Sequence, residues 1–193
     1  MGWASCSHSG TGHAALPDPR AVDKSVPEYK NPFHPSTYAH FVARKDYRKT
    51  YDVYKDDTLL NRQPKKSRKI FVCLDEQRGQ YLVDGLVAMD FPLSSGVKAY
   101  PTKTGDYAVI SKKEDHTSNL YGKMYDAEGK CINYNAESTD PVPEGGRFDG
   151  SPMPYWQRLT NAGLGLHVGK VRRHPVSHGC VRLPRNVAEI LYR

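Results

Sequence analysis

The stretch LHVGKVRRHPVSHGCVRL, Leu166 to Leu183, holds three histidines, three arginines and one cysteine. Such a set serves a metal site, a cysteine nucleophile with its base, or a plain basic loop. A cysteine reacts as its thiolate, and a free thiol titrates near about 8.5, so it needs a base or a positive neighbourhood. His178 lies two positions from Cys180, on the same side of an extended chain. His167 lies thirteen positions upstream, on a separate strand candidate, GLGLHVG. In SHGC, Gly179 permits a tight turn that leaves the thiol uncrowded, with backbone N–H groups available to a developing oxyanion.

The metal reading draws on the H-x3-H spacing of His174 and His178, with Cys180 and His167 completing four ligands. Against it, His178 and Cys180 with one intervening residue make a poor chelating pair. Each residue also has a plainer reading. A lone cysteine packs as a small hydrophobe, a lone histidine sits satisfied in a core, and Arg172, Arg173 and Arg185 are solvated charges. His174 precedes Pro175 and belongs to a loop.

Working outward, the chain has 193 residues, which suits one domain with an extension, or two very small domains. The hydrophobic fraction is 38%, below the usual level, and the deficit is uneven. Net charge is +7, read as a solvated basic surface or as attraction to an anionic polymer such as an acidic cell wall. Basic residues are scattered apart from Gln63 to Lys69, and aromatics do not alternate with them, so nucleic acid is not expected. No apolar run approaches the roughly 20 residues that span a bilayer. The four cysteines, Cys6, Cys73, Cys131 and Cys180, include no CxxC pair. A Cys73–Cys131 bridge is open in an oxidising compartment; the expectation leans against it.

Residues 1–66 read as an N-terminal extension or linker, partly disordered, rich in Gly, Ser, Pro and His without sustained periodicity. TYAHFVARKDYRKTYDVYKDDTLL within it suits a short helix or strand in an ordered extension. At the start, Cys6 replaces the Ser or Thr of a myristoylation pattern. Trp3 to Cys6, WASC, resembles the end of a bacterial lipoprotein signal without its apolar segment; a linker cysteine is the equal alternative.

From Lys69 the texture becomes β-rich. KIFVCLD and QYLVDGLVAMDFPLSS alternate, with Asp84–Gly85 as a hairpin signal. GDYAVISKK is a further strand candidate, and Glu114 to Gly150 reads as long loops with short strands. PRNVAEILYR places Val187, Ile190 and Leu191 at helical spacing, with Pro184 suited to a first turn. The expected fold is mainly β: a β-sandwich with a short C-terminal helix and long loops.

HVGKVRRHPVSHGCVRLP closely resembles the signature of the bacterial L,D-transpeptidases (the YkuD-type catalytic domain), in a compact-loop variant. His167, Ser177, His178, Gly179, Cys180, Val181 and Arg182 match position by position. MPYWQRL with GLGLH, FPLSSG, TKTGDYAV and HTSNLYG resemble further family segments. The resemblance covers roughly Lys69 to Arg193, and it sets a catalytic domain at 67–193. Two departures stand out: Lys103 occupies the usual proline position, with Pro101 displaced upstream, and the chain stops where relatives add a final strand, as a truncation would.

The resemblance implies Cys180 as nucleophile and His167 as general base, with the Val168 carbonyl orienting the imidazole. His178 and Gly179 shape the turn, with N–H groups near Gly179 and Cys180 facing the oxyanion. Arg182 and Ser177 hold substrate or loop, and His178 joins them at the substrate. Tyr155 and Trp156 wall a peptide groove or pack as a hydrophobic lid on the core. The implied reaction is acyl transfer between peptidoglycan stem peptides through a thioester, giving 3→3 cross-links, without metal or cofactor. Hydrolysis of stems by the same thiol chemistry, as an L,D-carboxypeptidase or endopeptidase, and a non-catalytic wall-binding module are the alternatives. The substrate places the protein in the cell envelope as an expected monomer, with a possible membrane tether through lipidated Cys6.

Overall fold

Asp84 and Gly85 take φ of 51° and 87°, the left-handed pair that a two-residue hairpin turn requires. They join β3 (Arg78–Val83) to β4 (Leu86–Pro92) in an antiparallel pair running from Val83↔Leu86 to Arg78↔Pro92. The computed structural model describes residues 18–25, 27–64 and 67–193. Cys6 and the WASC segment lie outside them. No helix among the described residues is long and apolar enough to cross a membrane.

The chain divides into two compact units: residues up to Ala108 with Val171–Val181, and Val109–Lys170 with Arg182–Arg193. In the first, β1 (Tyr54–Lys55), β2 (Arg68–Cys73), β3 and β4 form a sheet in the order β1-β4-β3-β2. β2 alternates as a half-buried strand should, with Ile70 and Val72 inward. β4 is buried along most of its length, through Ala88, Met89, Phe91 and into Leu93.

The tyrosine-rich segment upstream is ordered. Thr37 caps α1 (Tyr38–Ala43) by accepting from the His40 N–H, and Phe41, Val42 and Tyr47 make a small core beside Tyr38 and Tyr54. α2 (Asp57–Leu60), capped by Asp56, follows β1. The segment is fixed to the sheet by a buried charge. Asp90, fully buried, accepts from Arg78 Nε at 2.6 Å, Tyr38 Oη at 2.7 Å and Tyr47 Oη at 2.8 Å. Arg78 also donates to the carbonyls of Thr50 and Asp52. Burial first, and then the Asp90 charge, keep both tyrosine hydroxyls protonated well above their ordinary range.

The second unit holds two sheets. β5 (Ser111–Lys113), β9 (Trp156–Arg158), β10 (Gly165–Val168) and β11 (Val181–Leu183) are ordered β11-β10-β9-β5. α3 (Arg185–Tyr192) follows with Val187, Ala188 and Leu191 buried; Pro184 serves as its N-cap position, one residue earlier than the sequence suggests. The stretch expected to hold long loops with short strands carries longer strands that make a three-stranded antiparallel sheet, β7-β6-β8, from β6 (Thr117–Tyr125), β7 (Cys131–Glu137) and β8 (Arg147–Pro152). Its strands expose residues on both faces and are broken by register shifts, so the alternation that marks a half-buried strand is missing. Cys73 is disulfide-bonded while neither Cys131 nor Cys180 is in a disulfide, so no Cys73–Cys131 bridge forms.

Candidate active site

The thiol belongs to the first unit and sits on a turn held through Ser177, Gly179 and Cys180. Gly179 has φ of 114°, a region closed to ordinary side chains. Ser177, 2% exposed, makes a parallel bridge to Gly96: its N–H donates to Ser95 O, and its carbonyl accepts from Val97 N. Its hydroxyl donates to the Cys180 carbonyl and accepts from Gly179 N–H at 3.2 Å. Thr102 holds the next carbonyl, donating to Gly179 O at 2.6 Å while accepting from Gly96 N–H at 2.8 Å. A side chain at residue 96 would press within 2.9 Å of Gly179 Cα, so only glycine lets these strands approach. Behind them, the Gln77 amide grips Ser95 through both its oxygen and its nitrogen.

Ser177 therefore acts inside the loop. The Gly179 N–H, expected to face an oxyanion, is donated to Ser177 instead, and the contribution of Gly179 is its backbone conformation. His178 is exposed, its ring 4.8 Å from that of Tyr100. Cys180 is partly buried and unbridged. Gln77, Ser95, Gly96 and Thr102 carry the turn; Ser95, Gly96 and Thr102 lie in the FPLSSG and TKTGDYAV segments of the family resemblance, whereas Gln77 carries no sequence signal, because an isolated polar residue gives no sign of its distant partner. His174 is exposed, and Arg173 reaches Glu76 O from a left-handed backbone. Among the described residues no three His, Cys, Asp or Glu side chains gather as a metal cage.

The histidine belongs to the second unit. His167 lies on β10, 6% exposed, with Nδ1 2.7 Å from the Val168 carbonyl. A carbonyl only accepts, so Nδ1 carries the proton and Nε2 presents its lone pair. Burial lowers its pKa to about 4; Arg182 and His116 push the same way, against the Val168 hydrogen bond. At neutral pH the ring is an uncharged base. Arg182 follows on β11, its stem lying over Gly169.

Trp156 and Tyr155 part company. Trp156 is 3% exposed, packed under Gly165 and between the rings of His116 and His167 at 5.0 Å and 6.0 Å. That placement fits the packing alternative and leaves little surface for a groove wall. Tyr155 turns its ring onto Tyr192 of α3 at 5.4 Å, with the Arg185 guanidinium 5.7 Å above it.

The buried imidazole makes stability depend on pH. The unfolded chain protonates His167 near the ordinary 6.5, whereas the folded chain does so only near 4. Between those values the unfolded state holds the extra proton, so stability is complete above about pH 6.5 and falls as the pH drops towards 4. The expected loss reaches about 3 kcal/mol. Urea midpoints measured across this window should fall in the parent and flatten in His167→Gln.

A search of curated proteins finds no match. Among solved structures the chain is similar to the L,D-transpeptidase (Yku) of Stackebrandtia nassauensis, at 24% identity, covering 68% of this chain and 52% of that one, with a TM-score of 0.46. A mutant of Enterococcus faecium L,D-transpeptidase matches at 27% identity over 66% of this chain and 45% of that one, TM-score 0.46. The catalytic domain of the E. faecium enzyme matches at 28% over 65% and 88%, TM-score 0.46. The chain thus spans about half the length of the first two. The L,D-transpeptidase catalytic-domain (YkuD) family model matches residues 67–193, which include His167, the SHGC turn and Cys180. The chain belongs to the L,D-transpeptidase catalytic-domain family.

Proposed function

We propose that the protein is a peptidoglycan L,D-transpeptidase working in the bacterial cell envelope through a Cys180 thioester. The observation that carries this reading is the buried, uncharged His167, whose tautomer is fixed by the Val168 carbonyl so that Nε2 can take a proton. The family match spans Cys180 as well as His167, which supports the thiol as its partner.

The reaction runs in two halves. His167 Nε2 takes the Cys180 proton as sulfur attacks the L-centre carbonyl of diaminopimelate in a tetrapeptide stem. The carbon–nitrogen bond to D-Ala breaks, the imidazolium returns the proton to the leaving amine, and the thioester remains. A side-chain amine of a neighbouring stem then attacks the thioester and gives a proton to His167, which passes it to the departing sulfur, so that the 3→3 link is made and the neutral thiol and imidazole return. A base titrating near 4 is too weak to hold a thiol proton at rest, so deprotonation accompanies attack. The resting pair on this reading is neutral. The net charge of +7 suits an anionic wall.

Incubation with a tetrapeptide stem should yield a cross-linked dimer and free D-Ala by mass spectrometry, and a carbapenem should add its mass to Cys180. Tripeptide without dimer would move the assignment to the hydrolase. Neither product and no adduct would end the thiol reading.

A further inference from the structure

Two adjacent lysines on β5 are sent to opposite faces of the sheet. Lys112 pairs with Gln157 of β9, which pairs with Leu166 of β10, and its ammonium reaches the Leu191 and Tyr192 carbonyls of α3. That row faces the helix. Lys113 pairs with Trp156, and Ser111 with Arg158, which pairs with Gly165. By the pleat these residues occupy the other face, the one on which Trp156 meets the His167 ring.

Charge accumulates on this second face. His116 lies against Trp156 at 5.0 Å, close enough to Lys113 and Arg158 that both oppose its protonation, after the larger effect of burial. Arg158 donates to the Asn161 carbonyl at 3.5 Å, and among the described residues neither Lys113 nor Arg158 is ion-paired. The neighbouring Glu114 acts on Tyr155, beside Glu189. Like charges repel one another, and an anion settling among them relieves that repulsion.

We propose that Lys113, Arg158 and His116, on the His167 face of the β5-β9-β10 sheet, form a subsite for a carboxylate of the acyl-donor peptide. The proposal rests on the function proposed above, because it takes its ligand from that reaction. A tetrapeptide stem carries two carboxylates near the scissile bond, on the leaving D-Ala and on the D-centre of diaminopimelate. Both present the same planar anion to an ammonium and a guanidinium. Lys113 is exposed and Arg158 partly so, so their side chains can reach a bound peptide, and changing them leaves the core intact. His116 supplies a ring beneath, backed by the buried Trp156, and is able to take a proton once an anion arrives.

The test uses the full chain carrying Cys180→Ala, so that binding is read without turnover, and compares it with Lys113→Gln/Arg158→Gln on the same background. Calorimetry follows three peptides: the free tetrapeptide, the same peptide amidated at D-Ala, and the same amidated at the D-centre. The double change should weaken the free tetrapeptide about tenfold, as two partly exposed ion pairs imply. It should have no effect on whichever amidated peptide has lost the carboxylate concerned, which identifies the source. Equal weakening of all three peptides, no weakening of any, or no binding to the parent would overturn the subsite. Failure of the transpeptidase reading is seen separately, as an absence of thioester and dimer with Cys180 in place.

Discussion

Replacing His167 by glutamine should slow acylation of Cys180 by about 10²–10⁴, and replacing Cys180 by alanine should leave no covalent adduct at all. Glutamine keeps a side-chain N–H that can reach the Val168 carbonyl, now accepting from Nδ1 at 2.7 Å, and it nearly fills the space of the imidazole. It offers no nitrogen lone pair for a thiol proton. The loss therefore isolates proton transfer from packing. Stopped-flow measurement of carbapenem acylation gives the rate directly, and circular dichroism checks the fold. The pH profile supplies a second readout. The parent should lose activity on the acid side as His167 protonates near 4, and the variant should lack that limb. Acylation of His167→Gln at the parental rate would place the base elsewhere.

Asp90→Ala should cost about 3–5 kcal/mol of folding free energy. The carboxylate is fully buried and Arg78 is 2% exposed, so its removal strands a guanidinium away from water. Two tyrosine hydroxyls lose their acceptor as well. Arg78 would keep the Thr50 and Asp52 carbonyls, but neutral dipoles compensate a buried cation only in part. Asp90→Asn retains an oxygen for the tyrosines and should cost less than the alanine change. Urea denaturation at neutral pH decides; a loss below about 1 kcal/mol for Asp90→Ala would mean that the charge is not what binds the Tyr38–Asp52 segment to β4.

The parts of the site legible in sequence were those written in a few consecutive residues. Gly179 had to adopt a turn that side chains avoid, and Asp84–Gly85 had to close a hairpin; both show positive φ. His167 lay on a recognisable buried strand. By contrast, the sequence leaves Trp156 between two roles, because an aromatic residue in a short strand gives no sign of which face is covered. The length and pairing of the β7-β6-β8 strands are not legible beyond short strands in loops, because neither face is consistently buried. Gln77 gives no local sign of its partner Ser95.

The sequence by itself determined the conformation of the SHG turn and the mainly β character, because backbone sterics and strand periodicity act over a handful of positions. Tertiary structure alone decided that Thr102 would hold the carbonyl of Gly179, 77 positions away, and that Asp90 would collect Tyr38, Tyr47 and Arg78. It also decided which of Lys112 and Lys113 faces the helix. The physical reason is common to all three: hydrogen bonds and ion pairs between distant residues form only where packing has removed water and fixed both partners, and no local run of residues specifies that meeting.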